Sequence, residues 1–376
     1  MTGPESSPDR LLSPSLRVLL ALAASVVVIA GISFARDVAG PIALAIVIVI
    51  ICEPMRAPFE RRGWPRWLGS LAVIVLAYVI LIAMGALLWF AGNQFARLVV
   101  DLATDGGLAE RVEEFVAWLE SVGLFEEATD AVASVLDPTT LLSVVSSVGS
   151  AVLSVATALF FVLAYIIFMT VDAARYRAAP AIFGATRGRV IDRIAQLNRG
   201  IRRYYVVNAV FGAIVAIIDG LALWWMGVPA PMVWAILAFV TNFIPNVGFV
   251  LGLVPPAILA FFVGDWPLLI GVIAVYCVVN VVLQVLVQPK FVSDAVDLSL
   301  TLSFFSVIFW TFVIGPLGAI LSIPLTLLTR ALVLEPNPDA LWLRWVSGDR
   351  TAVPPPPEPV AAQVRTRRRR RWPWSP

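Results

Sequence analysis

The chain has 376 residues, of which 60% are hydrophobic and only 14% charged, with a net charge of +2 and a mean hydropathy of +0.91. A soluble domain carries about a quarter charged residues, so this composition excludes a globular protein of the aqueous phase and points to a polytopic membrane protein. The absence of histidine removes Ser-His-Asp triads and imidazole metal sites, and neither a metal nor a cofactor is expected.

Residues 1–16 are polar and broken by Pro4 and Pro8, a composition that cannot bury a core, and read as a disordered cytoplasmic tail. The segment 17–91 holds three apolar runs: Val18 to Phe34, Val38 to Cys52 and Leu68 to Ala91. The first is followed by Arg36 and Asp37 rather than a small-residue cleavage site, so it reads as a retained span. Arg56, Arg61, Arg62 and Arg66 separate the second run from the third and place that loop in the cytoplasm. Cys52, like Cys277, lies within apolar sequence and reads as a small buried hydrophobe.

Residues 92–147 change character. Ten acidic residues lie between Asp101 and Asp137, while Arg97 and Arg111 are the only bases. Phe95, Leu98, Val99 and Leu102 recur at helical spacing. The segment reads as a small extracytoplasmic amphipathic helical unit, because short loops poor in Lys and Arg are the ones translocated. A solvated helix face accounts for its acidity.

Segment 148–204 is a fourth span, Val148 to Val171, and a connection with arginines at 175, 177, 187, 189, 193, 199, 202 and 203. Val190, Ile194, Leu197 and Ile201 share one face of that connection, so it reads as a basic amphipathic helix along the inner leaflet. A fifth span, Tyr205 to Met226, carries the chain outward.

Residues 205–334 contain two blocks of awkward length. Met232 to Val263 and Ser299 to Val333 are too long for one crossing of a ~30 Å hydrocarbon core and too short for two. Each has helix breakers near its middle: Asn242-Phe243-Ile244-Pro245-Asn246-Val247-Gly248 in the first, Gly315-Pro316-Leu317-Gly318 in the second. Proline removes a backbone donor and glycine admits conformations closed to other residues, so each block is expected to be a re-entrant hairpin of two half-helices. One span, Pro267 to Val287, separates them and delivers Lys290 to the cytoplasm. The expected architecture is therefore all-α, with about six full transmembrane helices and two re-entrant hairpins. Span-plus-hairpin occurs twice with opposite orientation, an inverted repeat of the kind that surrounds a midplane transport site.

The tail 335–376 contains Pro354 to Pro357, then Arg367 to Arg371 with Trp372 and Trp374. It reads as disordered and cytoplasmic. Its arginines suit anionic lipid headgroups, and a tail tethered to a membrane makes lipid a better partner than nucleic acid.

The strings Asn242 to Gly248, Gln288-Pro289-Lys290-Phe291-Val292 and Gly315 to Pro324 together resemble the autoinducer-2 exporter family of bacterial permeases. The likeness extends from about residue 17 to 335 in span order, outer segment and Arg-rich connection. It implies a multi-pass permease of the bacterial inner membrane, homo-oligomeric and pentameric in the family expectation, with an elevator-like or rocking mechanism.

Candidate site residues are those of the two bends. Asn242, Pro245, Asn246, Gly248, Gly315, Pro316 and Gly318 are the expected substrate-binding set, since half-helix N-termini present free N–H groups to an anionic or oxygen-rich solute. Asn and Gly also serve as turn formers, and both roles fit together here. Asp219 is the only acidic residue deep within a predicted span, and an intramembrane carboxylate is the expected ion-coupling group for sodium ions or protons. Asn208, Asn280 and Gln284 read as interhelical hydrogen-bond partners. The leading function is export of a small polar or anionic solute such as a signalling molecule, and the second is cation/proton antiport through Asp219. An intramembrane enzyme lacks paired carboxylates or a metal-ligand cluster, and a non-transporting scaffold has no need of two broken helices.

Overall fold

The computed structural model describes residues 13–104, 143, 159–173, 175–288, 298–335, 340–349 and 352. Most of the N-terminal tail, the acidic segment beyond residue 104, Lys290 and the arginine run 367–371 lie outside the described residues. All regular structure among the described residues is helical. Four helices are long and apolar enough to cross a membrane, and six shorter apolar helices accompany them.

Helix α1 (Pro14–Phe34) starts with Ser13, whose hydroxyl accepts from the Leu16 N–H, and with proline in its first turn, where the missing donor costs nothing. Helix α2 (Arg36–Cys52) follows after one residue. A 3₁₀ turn, Glu53–Arg56, and the short α3 (Ala57–Arg61) lead to α4 (Arg66–Thr104). Helix α4 runs through the expected boundary at residue 92. No proline interrupts Ala91 to Thr104, and Phe95 and Leu98 pack on the core beneath the first bend, so the helix continues where a separate outer segment was expected to begin. Helix α5 (Leu159–Ala173) packs Val162 and Ile166 against Ala45 and Cys52 of α2 and Val73 and Ala77 of α4.

The loop arginines are not all solvated. Arg56 is 2% exposed, and its guanidinium donates to the Thr170 carbonyl at 3.1 Å and to Ser70 Oγ at 2.5 Å. Arg177 pairs with Glu60 and, at 3.5 Å, with Glu53. These contacts tie α2, α3 and α4 to the end of α5.

Helix α6 (Ala179–Trp225) joins the Arg-rich connection to the fifth span as one element, bent at Arg187, where φ is −128° and ψ 15°. The two regions were expected to be distinct. No breaker separates Arg203 from Tyr204, and burial of Ile201, Tyr204 and Tyr205 against Leu321 and Leu327 favours an uninterrupted helix.

The first bend lies between α7 (Pro231–Thr241) and α8 (Gly248–Gly264). Helical hydrogen bonding runs on from Gly248 to Asn280, yet the path is not straight. Gly248 and Tyr276 line the same small cavity, whereas a straight helix would separate them by about 42 Å. The chain therefore reverses at Gly264-Asp265-Trp266, and α9 (Trp266–Val287) runs back beside α8, with Pro267 in its first turn. The end of α9, Val281–Val287, is π-helical.

The second bend joins α10 (Leu300–Ile314) to α11 (Pro316–Ile320) and α12 (Ser322–Val333). Gly315 has φ 82°, a conformation that favours glycine. The Trp310 indole donates to Thr326 Oγ1 at 2.9 Å across this hairpin. Helix α13 (Leu341–Val346) closes the described chain, with Arg344 doubly bonded to Asp349.

Candidate functional site

Each hairpin is closed by one glycine. A Cβ on Gly248 would overlap the Thr241 carbonyl, and a Cβ on Gly318 would overlap the Trp310 carbonyl. In both cases the second arm approaches the backbone of the first more closely than any side chain allows. Asn246 takes φ 62°, a left-handed conformation that asparagine tolerates better than most residues.

The first bend lies against a groove on α6. A Cβ on Gly212 would meet Asn242 Nδ2 at 2.7 Å, and one on Gly220 would meet the Ala235 Cβ at 2.9 Å. Small residues at these positions let α7 approach the α6 backbone, the usual device for close helix packing in membranes.

Asp219 lies between these two glycines on α6. It is fully buried, and neither carboxylate oxygen has a hydrogen-bond partner. The carboxylate lines a cavity of about 10 Å³ together with Thr241, Asn242, Gly248, Tyr276, Asn280 and Gln284. The Tyr276 hydroxyl is likewise buried without a partner. The C-terminal end of α7 reaches the cavity at Thr241, bringing the negative end of a helix dipole beside the carboxylate.

A chain of amides runs from the cavity. Gln284 Nε2 donates to Asn242 Oδ1 at 2.8 Å and to Asn280 Oδ1 at 2.5 Å. Asn242 Nδ2 donates to the Asn208 carbonyl at 2.8 Å, and Gln288 Nε2 donates to Asn208 Oδ1 at 2.6 Å. The chain links α6, the first bend and the π-helical end of α9. π-Turns are concentrated at functional sites, and this one carries Gln284.

The structure thus gathers Asp219, Asn242 and Gly248 of the expected set at one cavity. Pro245 and Asn246 form the turn without lining that cavity. Gly315, Pro316 and Gly318 do not reach it: the second bend packs on α2, where a Cβ at Gly40 would meet Ile314 at 3.0 Å and Leu317 at 3.3 Å. The two bends communicate through Tyr205. Its ring stacks on Phe243 at 6.2 Å, and its hydroxyl donates to the Ile320 carbonyl at 2.9 Å. Thr241 and Tyr276 were not anticipated as site residues, and Asn280 and Gln284 only as packing partners.

A cavity this small holds about one water-sized species. Its lining is rich in oxygen and dominated by an uncompensated carboxylate. A carboxylate held charged and unpaired in such a place costs several kcal/mol, and a proton or a small cation removes that cost. Among the described residues no cluster of three His, Cys, Asp or Glu side chains is assembled for a metal ion.

Residues 22–335 match the model of the family described as AI-2E family transporter. The chain is 29% identical over 324 residues to the AI-2 transport protein TqsA of Escherichia coli (strain K12), covering 84% of this chain and 91% of that protein. It is 26% identical over 341 residues to a putative transport protein of Haemophilus influenzae, covering 89% and 96%. The putative transport protein YhhT of Escherichia coli (strain K12) is 26% identical over 324 residues, covering 85% and 90%.

Proposed function

The chain belongs to the AI-2E family of membrane transporters, and from that membership we propose that it exports a small polar or anionic solute, a signalling molecule such as autoinducer-2 being the leading candidate. The hairpin arms α7–α8 and α10–α12 are the moving parts. Each is internally locked by its glycine, whereas the bends meet at Tyr205 through one hydrogen bond, one ring stack and the apolar packing of Phe243, Leu317 and Leu321 around it, a junction of side chains that can exchange partners during a rocking or elevator-like movement. That contrast between arms locked through backbone and a junction made of side chains is the observation that carries the reading. The bends enter from opposite leaflets as an inverted repeat, in the bacterial inner membrane, with both termini cytoplasmic and several copies assembled, in the family expectation five. Everted vesicles test export directly: they should accumulate autoinducer-2 when they contain this chain, and accumulation equal to that of empty vesicles rejects the assignment.

A second reading is cation/proton antiport, and the buried, unpartnered Asp219 favours it. Sodium and a proton then occupy the carboxylate in turn, and the two readings merge if the exchange drives solute export. Adding sodium to acidified everted vesicles should release protons. No sodium-dependent release excludes sodium as the coupling ion.

A further inference from the structure

We propose that the cleft between the arginine-rich half of α6, the α2 helix and the α12 arm of the second hairpin is a binding site for an anionic phospholipid. The cleft has two joined parts. One, of about 1260 Å³, is lined mostly by apolar side chains, among them Val47 and Ile50 of α2, Leu197 of α6, and Leu325, Leu328 and Leu332 of α12, with Arg187 and Asp192 of α6 also on its wall. The other, of about 860 Å³, is bounded by Arg193, Arg199, Arg202, Arg203, Arg330 and Arg344, against which stand only two carboxylates, Glu335 and Asp349. Arg193, Leu197, Ala331, Glu335 and Arg344 border both parts.

The two acids are already committed. Glu335 faces Arg193 at 3.9 Å, and Asp349 holds Arg344 at 2.6 Å. Among the described residues Arg199 and Arg202 form no ion pair, so these two guanidiniums face the cleft without a carboxylate of the protein bound to them. The apolar wall continues to the surface through Ile46, Leu328 and Leu332, which are 43%, 41% and 68% exposed. A ligand that is apolar along one end and anionic at the other satisfies both parts at once. Basic pockets between membrane helices bind anionic headgroups for this reason, and the acyl chain would lie where the cleft meets the lipid-facing surface. A soluble anion satisfies the arginines and leaves the leucine wall wet. The bound lipid would bridge α6 to α12, the second hairpin's outer arm.

The test is retention of lipid by the full-length purified protein in a neutral detergent, read by native mass spectrometry. Phosphatidylglycerol, phosphatidylcholine and glycerol 1-phosphate are the three probes. Phosphatidylglycerol should be retained more tightly than phosphatidylcholine, with affinity falling about fivefold for each arginine removed in Arg199→Gln and in the double variant R199Q/R202Q. Leu328→Gln, at a partly exposed wall position, should weaken phosphatidylglycerol while leaving glycerol 1-phosphate unaffected. The basic C-terminal run is present in every variant, so the differences report on the cleft. Equal retention of the two lipids, undiminished phosphatidylglycerol binding by R199Q/R202Q, or effective competition by glycerol 1-phosphate would each overturn the proposal.

Discussion

At the scale of single residues, Asp219 is the costly element of this chain. A carboxylate that served only to hold helices together would have partners, and here neither oxygen has one. Asp219→Asn keeps the shape and removes the charge, so it should stabilise the folded protein by ~1–3 kcal/mol in a thermal unfolding assay at neutral pH while impairing transport. A lower melting temperature would show that the carboxylate has a structural role instead. Asp219 stands out in the sequence because it is the one acidic residue deep in an apolar run. Thr241, Tyr276, Asn280 and Gln284 do not, because they come from the end of α7 and from α9, and only the reversal at Gly264 brings those elements together. Their polar groups look like ordinary interhelical partners until the cavity unites them.

At the scale of elements, the two bends share one construction, a glycine pressed on the carbonyl of the preceding arm. Gly248→Ala and Gly318→Ala should each destabilise by ~1–3 kcal/mol through overpacking, since the obstacle is backbone and cannot rotate away. Thermal unfolding of each variant measures the loss, and an unchanged midpoint for either contradicts the close approach. The bends are legible in sequence, since proline, glycine and asparagine interrupt long apolar blocks and break helices for known steric reasons. Where α4 ends and where α6 begins is not legible in that way. Both continue past charge and composition boundaries, because helices stop at breakers or caps, and changes of polarity along the chain are neither. The separation of the second bend from the Asp219 cavity is also absent from any local pattern; it depends on Gly40 of α2 receiving Ile314 and Leu317, a contact between distant segments.

At the scale of the whole molecule, the account needs an orientation and a coupling. In the proposed orientation the arginine-rich half of α6 lies on the cytoplasmic side, and α9 should then deliver Lys290 to that side. In a background with Cys52 and Cys277 replaced, Lys290→Cys should react with an impermeant maleimide in everted vesicles and be silent in intact cells; the reverse pattern contradicts opposed hairpins. Composition makes membrane residence plain, whereas neither composition nor spacing specifies which solute moves. The most direct test of the central claim, that Asp219 couples an ion to movement of the bends, is flux in proteoliposomes under imposed sodium or proton gradients, comparing the parent chain with Asp219→Asn. The account predicts gradient-driven flux in the parent and a variant that folds but no longer responds to the gradient. An Asp219→Asn protein driven as strongly by the gradient as its parent would contradict it.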